Sequence, residues 1–208
     1  MIKIGLSDVG KRFNYDWIFR HLSTTIESGH HYLIQGNNGS GKSTLLKVIS
    51  GVVSPNEGKI SYEIDGQAIE VDQIYRHLNI CTPYLQLIEE FTLDEMLQFH
   101  QSVKPLKRHF SGKEMSEFTE IHYQHDKALH LFSSGMKQRI KLALALLSDS
   151  PLLLLDEPLS NLDANGIAWY KRTIREHQEN RVICVCSNQV EDEYFFCDKN
   201  IDLAAYKN

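Results

Sequence analysis

Three short apolar runs stand out along the chain, and each ends at a cluster of glycine or polar residues. They are His31-Tyr-Leu-Ile-Gln35, Leu152-Leu-Leu-Leu155 and Val182-Ile-Cys-Val-Cys186. Short apolar runs bounded in this way are typical of strands that are buried on both faces of a parallel sheet. Because ligand-binding groups gather beyond the carboxyl ends of such strands, we expect the polar residues that follow the three runs to lie close together.

Between these runs, apolar residues recur at the 3.6-residue spacing of amphipathic helices. The predicted helices span Lys42 to Ser50, Leu93 to Ser102, Lys113 to Ile121, Met136 to Leu147 and Ala164 to Glu179. Residues 84–148 contain helical patterns without intervening strands, and no linker is evident anywhere in the chain. The pattern predicts an α/β fold in one domain, 1–208, with an α-helical insert at about 84–148.

Composition places the chain among globular proteins that need no disulfide or metal to fold. It has 208 residues, of which 42% are hydrophobic and 24% charged, and its mean hydropathy is −0.33. No apolar run approaches the roughly 18 residues of a membrane-spanning helix, and the first residues lack the features of a secretion signal. We therefore expect a chain that does not cross a bilayer and that works in the cytoplasm.

The net charge of −5, from 22 basic and 27 acidic residues, argues against a broad nucleic-acid surface. We accordingly expect no nucleic-acid partner. The four cysteines lack the paired spacing of a zinc site. Cys184 and Cys186 lie two residues apart in a predicted strand, which points both side chains to one face, and we interpret them as small core residues.

The segment Gly36-Asn-Asn-Gly-Ser-Gly-Lys-Ser-Thr44 follows a predicted strand, enters a predicted helix and matches the pattern G-x-x-x-x-G-K-[ST]. Glycines let the backbone turn its N–H groups toward phosphate oxygens, and the helix N-terminus adds its dipole. Lys42 is expected to contact the β and γ phosphates, and the Ser43 hydroxyl to bind Mg²⁺. The candidate Mg-ATP site comprises Gly36, Asn37, Asn38, Gly39, Ser40, Gly41, Lys42, Ser43 and Thr44.

A second set of candidate residues ends the strand Leu152-Leu-Leu-Leu-Asp-Glu-Pro158. Asp156 is placed to bind the Mg²⁺, in the role of a Walker B aspartate. Glu157 is placed to orient or deprotonate an attacking water, and we predict that it is catalytic.

The segment Phe132-Ser-Ser-Gly-Met-Lys-Gln-Arg139 lies shortly before this strand. Here the sequence resembles the ATPase subunits of ABC transporters, whose Leu-Ser-Gly-Gly-Gln signature precedes the Walker B strand. Ser133 and Gly135 match the signature, whereas Phe132, Ser134 and Met136 depart from it; Gln138 and Arg139 fit its usual extension. Ser160-Asn-Leu-Asp163 resembles the D-loop of the family.

The resemblance covers the chain from Ile4 to about Ala204 and implies a P-loop NTPase core. That core has a mostly parallel sheet, an N-terminal antiparallel β portion and a helical insert. Nucleotide held by one copy would be contacted by the signature of another, through Ser133, Ser134, Gly135 and Met136, with Asp163 in the D-loop. Phe13 stands where the family places an aromatic residue that stacks on adenine; an ordinary core role is the alternative for this residue.

Physical reasoning supports this use of the signature independently. Ser133 precedes a predicted helix, and the N-terminus of a helix attracts phosphate. The site is therefore complete only when a second chain supplies that terminus. The resemblance implies that the two chains pair head to tail, and we expect a homodimer.

Two family positions differ in this chain. Near the expected Q-loop glutamine the chain has Pro83, and Gln86, three positions on, is the candidate substitute. Asn188 stands where the family has a switch histidine, and we count it as a catalytic candidate. An amide can hydrogen-bond a phosphate, but it does not titrate as an imidazole does.

These observations predict the ATP-binding subunit of an ABC-type transporter, which hydrolyses ATP with Mg²⁺ as a dimer. It would lie peripherally on the cytoplasmic side of a membrane and drive a separate transmembrane protein. Two alternatives stay open from the sequence. One is an ABC-type ATPase that remodels or regulates a non-membrane assembly, and the other is a hydrolysis-poor nucleotide sensor, suggested by Asn188.

Overall fold

Residues 1–207 are described by the computed structural model, and within them nine strands form two sheets. The strands are β1 (Ile2–Phe13), β2 (Asp16–Glu27), β3 (His31–Gln35), β4 (Glu57–Ile64), β5 (Gln67–Ile69), β6 (Leu78–Cys81), β7 (Leu152–Asp156), β8 (Val182–Cys186) and β9 (Lys199–Asp202). One sheet has the order β2-β1-β4-β5 and the other the order β6-β7-β8-β3-β9.

The first sheet is the N-terminal antiparallel portion. Strand β1 pairs antiparallel with β2 on one side and with β4 on the other. Ile2, Ile4 and Leu6 on β1 are buried and alternate with more exposed residues, as the two-residue period of a strand requires. The antiparallel portion implied by the family resemblance is thus confirmed.

The second sheet contains the three apolar runs. Strand β8 pairs in parallel with β7 and with β3, and β3 pairs in parallel with β9. Every residue of β7 and β8 is buried, as the continuous apolar runs predicted. Cys184 and Cys186 are both fully buried on β8, which confirms their interpretation as core residues.

The six helices in residues 1–207 are α1 (Lys42–Ile49), α2 (Leu93–Val103), α3 (Gly112–Thr119), α4 (Ser134–Leu147), α5 (Ala164–His177) and α6 (Glu191–Tyr194). The first five correspond to the predicted helices within two residues at each end. Helix α4 begins two residues early because the Ser133 hydroxyl accepts a hydrogen bond from the Met136 N–H and caps the helix. None of the helices in this part of the chain is long and apolar enough to cross a membrane.

The chain divides into two units. The first contains Met1–Ile80, Ser150–Glu157 and the described residues from Gln178 onward. It therefore holds α1, α6 and both sheets except Cys81, the last residue of β6. The second contains Cys81–Asp149 and Pro158–His177, and so holds α2 to α5. The predicted helical insert, 84–148, falls inside the second unit.

Candidate active site

The loop between β3 and α1 is shaped by glycines that no other residue could replace without strain. Gly39 and Gly41 adopt left-handed backbone conformations, with φ of +74° and +99°. A Cβ atom on Gly41 would lie 2.2 Å from the Ile18 Cγ2 atom, so the loop also packs too closely for a side chain there. Helix α1 starts at the next residue, Lys42.

Lys42 is held at the centre of this loop. The residue is only 6% exposed. Its Nζ donates hydrogen bonds to the backbone oxygens of Gly36 (2.8 Å) and Asn37 (3.3 Å) and to the Asn188 Oδ1 atom (2.7 Å). The ammonium is thus oriented by three oxygens.

Asn188 connects the lysine to the candidate base. Its amide group accepts from Lys42 through Oδ1 and donates from Nδ2 to the Glu157 Oε1 atom. The Glu157 backbone N–H donates to Cys186 O at 3.0 Å, which ties the end of β7 to the end of β8. The prediction that the polar residues after the three apolar strands lie together is confirmed by these contacts.

Glu157 has a left-handed backbone, with φ of +46°. This conformation is uncommon for a residue with a Cβ atom, and strain of this kind concentrates at functional sites. Strand β7 ends at Asp156, which is buried, whereas the next carboxylate, Glu157, is half-buried.

Asp156 and Ser43 form the oxygen pair that could hold a divalent cation. Asp156 is 3% exposed, and burial raises the pKa of its carboxyl above the usual range, opposed by the hydrogen bond from Ser43. A cation beside the carboxylate would favour its charged form. A carboxylate next to a hydroxyl is the hard-oxygen donor set that suits Mg²⁺, so these residues fit the metal.

The loop also provides space and hydrogen-bond donors for a phosphate group. The Ser40 hydroxyl is buried and has no hydrogen-bond partner among residues 1–207. A pocket of about 270 Å³ is lined by Gly36, Asn37, Asn38, Asn188 and Gln189. A free buried donor beside glycine-rich backbone fits a phosphate group. Sequence reasoning missed Gln189, whose place directly after Asn188 was the available signal.

In the second unit, the signature residues surround a larger pocket of about 560 Å³. Ser133, Ser134, Gly135 and Met136 line it at the start of α4, and Asp163 lines it from the loop before α5. The structure therefore brings together all the residues that were predicted to act on the nucleotide of a second copy.

Gly135 allows the loop that carries Asn161 to lie close to the start of α4. A Cβ atom on Gly135 would lie 2.9 Å from the Asn161 carbonyl oxygen, below any normal contact distance. Asn161 itself has a left-handed backbone, with φ of +65°. The match of Gly135 to the family signature thus has a packing reason.

Arg139 of α4 forms a hydrogen bond with the loop that carries Asp163. The residue is 9% exposed and donates from Nη2 to the Asp163 Oδ1 atom (3.2 Å) and from Nη1 to Thr119 O (3.2 Å). Asp163 Oδ1 also accepts from the Gly166 N–H at 2.8 Å, which caps α5. The Gly166 hydrogen bond, together with that from Arg139, lowers the pKa of Asp163.

Comparison with known proteins decides the family. The model of the ABC transporter family matches residues 19–160. The chain belongs to the ABC transporter family of ATPases.

Two curated relatives match nearly the whole chain of this ABC ATPase. YybJ of Bacillus subtilis (strain 168), named an uncharacterized ABC transporter ATP-binding protein, is 26% identical over 202 residues, which cover 96% of this chain and 92% of the relative. The cytochrome c biogenesis ATP-binding export protein CcmA of Haemophilus influenzae is 27% identical over 206 residues, covering 99% and 97%.

Solved structures share the fold. A putative ABC transporter ATP-binding protein from Pyrococcus furiosus superimposes with a TM-score of 0.81 at 23% identity, covering 99% of this chain and 100% of that one. The ATP-binding cassette MJ0796, in a dimeric post-hydrolysis structure with ADP and Pi, gives 0.78 at 20% identity, covering 96% and 93%. The predicted P-loop core with a helical subdomain is confirmed.

Two family positions lie at the surface of the ABC ATPase. Phe13, at the end of β1, is 51% exposed, and the Lys11 Nζ lies 5.2 Å from its ring centroid. It is therefore not a core residue, and stacking on adenine stays a prediction. Gln86 is also exposed, in the second unit.

The segment around Gln86 is tied to the signature helix. Lys137 forms an ion pair with Glu89 at 2.7 Å, and the Lys141 Nζ lies 3.5 Å from Thr82 O. Both lysines belong to α4, so one helix holds both ends of the segment. The Q-loop role of Gln86 stays a prediction.

Proposed function

We propose that the chain is the ATP-binding subunit of an ABC-type transporter and that it hydrolyses Mg-ATP between two copies arranged head to tail. The observation that carries the proposal is the Asn188 side chain, which joins the phosphate-loop lysine to the candidate base Glu157. A substrate phosphate bound beside Lys42 would then lie close to Glu157, with no movement of the strands required.

Each candidate site residue of the first unit has a distinct role in this proposal. The loop backbone and Ser40 donate hydrogen bonds to the phosphates, and Lys42 places its charge against the terminal phosphate. Ser43 and Asp156 would hold Mg²⁺, which when bound neutralises charge that develops on the phosphate oxygens.

Glu157 acts as the base for the attacking water. Catalysis of phosphoryl transfer is mostly positioning and charge stabilisation, so the orientation of this carboxylate matters as much as its basicity. The Asn188 amide N–H fixes Glu157 Oε1 and carries no charge of its own. We therefore expect slow but measurable hydrolysis by the isolated chain.

The second unit supplies the other half of the site to a neighbouring copy. The signature pocket opens at the N-terminus of the 14-residue helix α4, where backbone N–H groups and Ser133 favour phosphate. Nucleotide bound between the loop of one copy and the signature of the other joins the copies, and hydrolysis loosens them. The dimeric structure of MJ0796 with ADP and Pi supports the pairing of two copies in the presence of nucleotide.

Coupling to transport requires a separate transmembrane protein, with the chain lying peripherally on the cytoplasmic face of the membrane. Relatives named as ABC transporter and export ATP-binding proteins support this assignment. The second unit exposes Tyr84 (83%) and Val103 (71%), apolar side chains that a partner could cover.

Phosphate release by the purified chain with Mg-ATP tests the enzymatic part of the proposal. Binding of a fluorescent ATP analogue should collapse in Lys42→Ala, because the phosphate charge loses its buried counter-ion. Normal binding and hydrolysis by that variant would contradict the assignment of the site. Co-purification of an integral membrane protein, rather than a soluble assembly, tests the transport part.

A further inference from the structure

The signature pocket contains a lysine that sequence reasoning did not consider. Lys127 lines the pocket together with Ser133 and Gly135. Its backbone N–H donates to Gln124 O at 3.2 Å, which fixes the turn that carries it. Its ammonium forms no hydrogen bond or ion pair with any residue in the described range, 1–207.

The ring of Phe132 contacts this ammonium. The Lys127 Nζ lies 5.5 Å from the ring centroid, and Phe132 is only 5% exposed, so its ring is fixed. A cation over an aromatic face is attracted by the quadrupole of the ring. Phe132 stands where the family signature has leucine, which offers no such face. The departure at position 132 therefore has a physical consequence, namely the contact of an aromatic ring with the Lys127 ammonium.

The carboxylates of the pocket do not compensate this charge. Asp163 accepts from Arg139 at 3.2 Å, and Glu120 accepts from Arg172 at 2.5 Å, so each is paired with an arginine. Lys127 is left as a cation that forms no ion pair with a carboxylate in residues 1–207. An uncompensated cation in a concave site attracts an anionic ligand.

We propose that Lys127 of one copy binds phosphate oxygens of the nucleotide that is held by the phosphate loop of the second copy. This inference rests on the proposed head-to-tail dimer and adds a binding residue to it. Ser133 and the first turn of α4 donate neutral hydrogen bonds to the same phosphates, and Lys127 adds the positive charge that they lack. An ammonium suits this role because it binds phosphate as a point charge and needs no fixed angle.

The experiment measures the dissociation constant of the ATP-bound dimer by sedimentation in the Glu157→Gln background, which prevents hydrolysis. Lys127→Gln should weaken the dimer by about 10- to 100-fold, since each dimer exchanges two charge-assisted hydrogen bonds for the neutral ones that the Gln amide can donate. Lys127→Arg should retain most of the affinity. Phe132→Leu should weaken the dimer by only a few fold, because it frees the lysine without removing it.

Lys113→Gln is the matched control, since it removes the same charge from an exposed position of α3. Binding of a fluorescent ATP analogue to dilute, monomeric Lys127→Gln should equal that of the parent, because Lys127 acts only on the partner's nucleotide. Equal dimer affinity in Lys127→Gln and the parent overturns this inference and leaves the proposed dimer intact, as does equal weakening by Lys113→Gln. A parent that stays monomeric at saturating ATP overturns the dimer itself, and this inference with it.

Discussion

In the first unit, Lys42 and Asp156 are almost completely buried and their polar groups are held by Asn188 and Ser43. In the second unit, Ser133 and Ser134 are exposed at the rim of an open pocket of about 560 Å³. Under the proposed function, the first region fixes the reacting groups, and the second receives the nucleotide that another copy holds. This difference between the two regions is what we expect if each site of the working protein combines residues of two chains.

The largest expected effect comes from the base. Glu157→Gln keeps the shape of the side chain but cannot take a proton, so phosphate release should fall by about 100- to 10,000-fold. ATP binding should persist, and the ATP-bound dimer should accumulate. The measurement is phosphate release at saturating Mg-ATP together with light scattering. Hydrolysis at the parent rate would remove Glu157 from the mechanism.

Asn188→Ala removes the bridge between Lys42 and Glu157. We expect hydrolysis to fall by about 10- to 1000-fold, by analogy with the loss of one hydrogen-bond donor from an oxyanion site. Asn188→His should raise the rate if the loop can seat the ring. The decisive comparison is phosphate release by the three proteins, with Glu157→Gln as the blank. A rate in Asn188→Ala equal to that of the parent would show that the bridge is passive.

The second unit should respond differently, because its buried charge supports the pocket and does no chemistry. Arg139→Met removes the hydrogen bonds to Thr119 O and Asp163, although Asp163 keeps its bond from the Gly166 N–H. The substitution should lower the free energy of unfolding by about 2 kcal/mol. Urea denaturation measures this loss. Binding of ATP to the dilute monomer should be unchanged, and a large fall in that binding would contradict the separation of the two regions.

Substitution of Asp163 should have the smallest effect, a change in the midpoint of thermal unfolding. Asp163→Asn keeps an oxygen that can cap α5 at Gly166 but removes the charge that faces Arg139, whereas Asp163→Ala removes both. We expect Asp163→Ala to lower the midpoint of thermal unfolding by about 2–4 °C and Asp163→Asn by less. Equal midpoints for the two variants would show that the cap contributes nothing.

Sequence reasoning succeeded where the signal is local. Strands β3 and β8 match the predicted runs because continuous burial leaves a continuous apolar pattern. The phosphate loop is a contiguous motif whose glycines are fixed by backbone geometry. These features need no knowledge of distant contacts.

The contacts that shape the signature pocket could not be predicted in this way. The Arg139–Asp163 ion pair joins residues that only tertiary packing brings together. Phe132 was visible as a departure from the family, but its contact with Lys127 depends on the turn that precedes α4. The early start of α4 depends on a single side-chain cap at Ser133, which an apolar period does not register.

Each site is proposed to combine the phosphate loop of one chain with the signature of another. Mixing two variants, one defective in the loop and the other in the signature, tests this proposal most directly. Lys42→Ala disables the loop. Ser134→Glu places a negative charge in the exposed first turn of α4, where it repels phosphate while favouring the helix itself.

Each variant alone should hydrolyse ATP far more slowly than the parent. In a mixed dimer one site carries both defects and the other carries neither. Phosphate release by an equimolar mixture should therefore recover to about a quarter of the parent rate if the copies pair at random. A mixture that releases phosphate only at the average rate of the two separate variants would contradict the account.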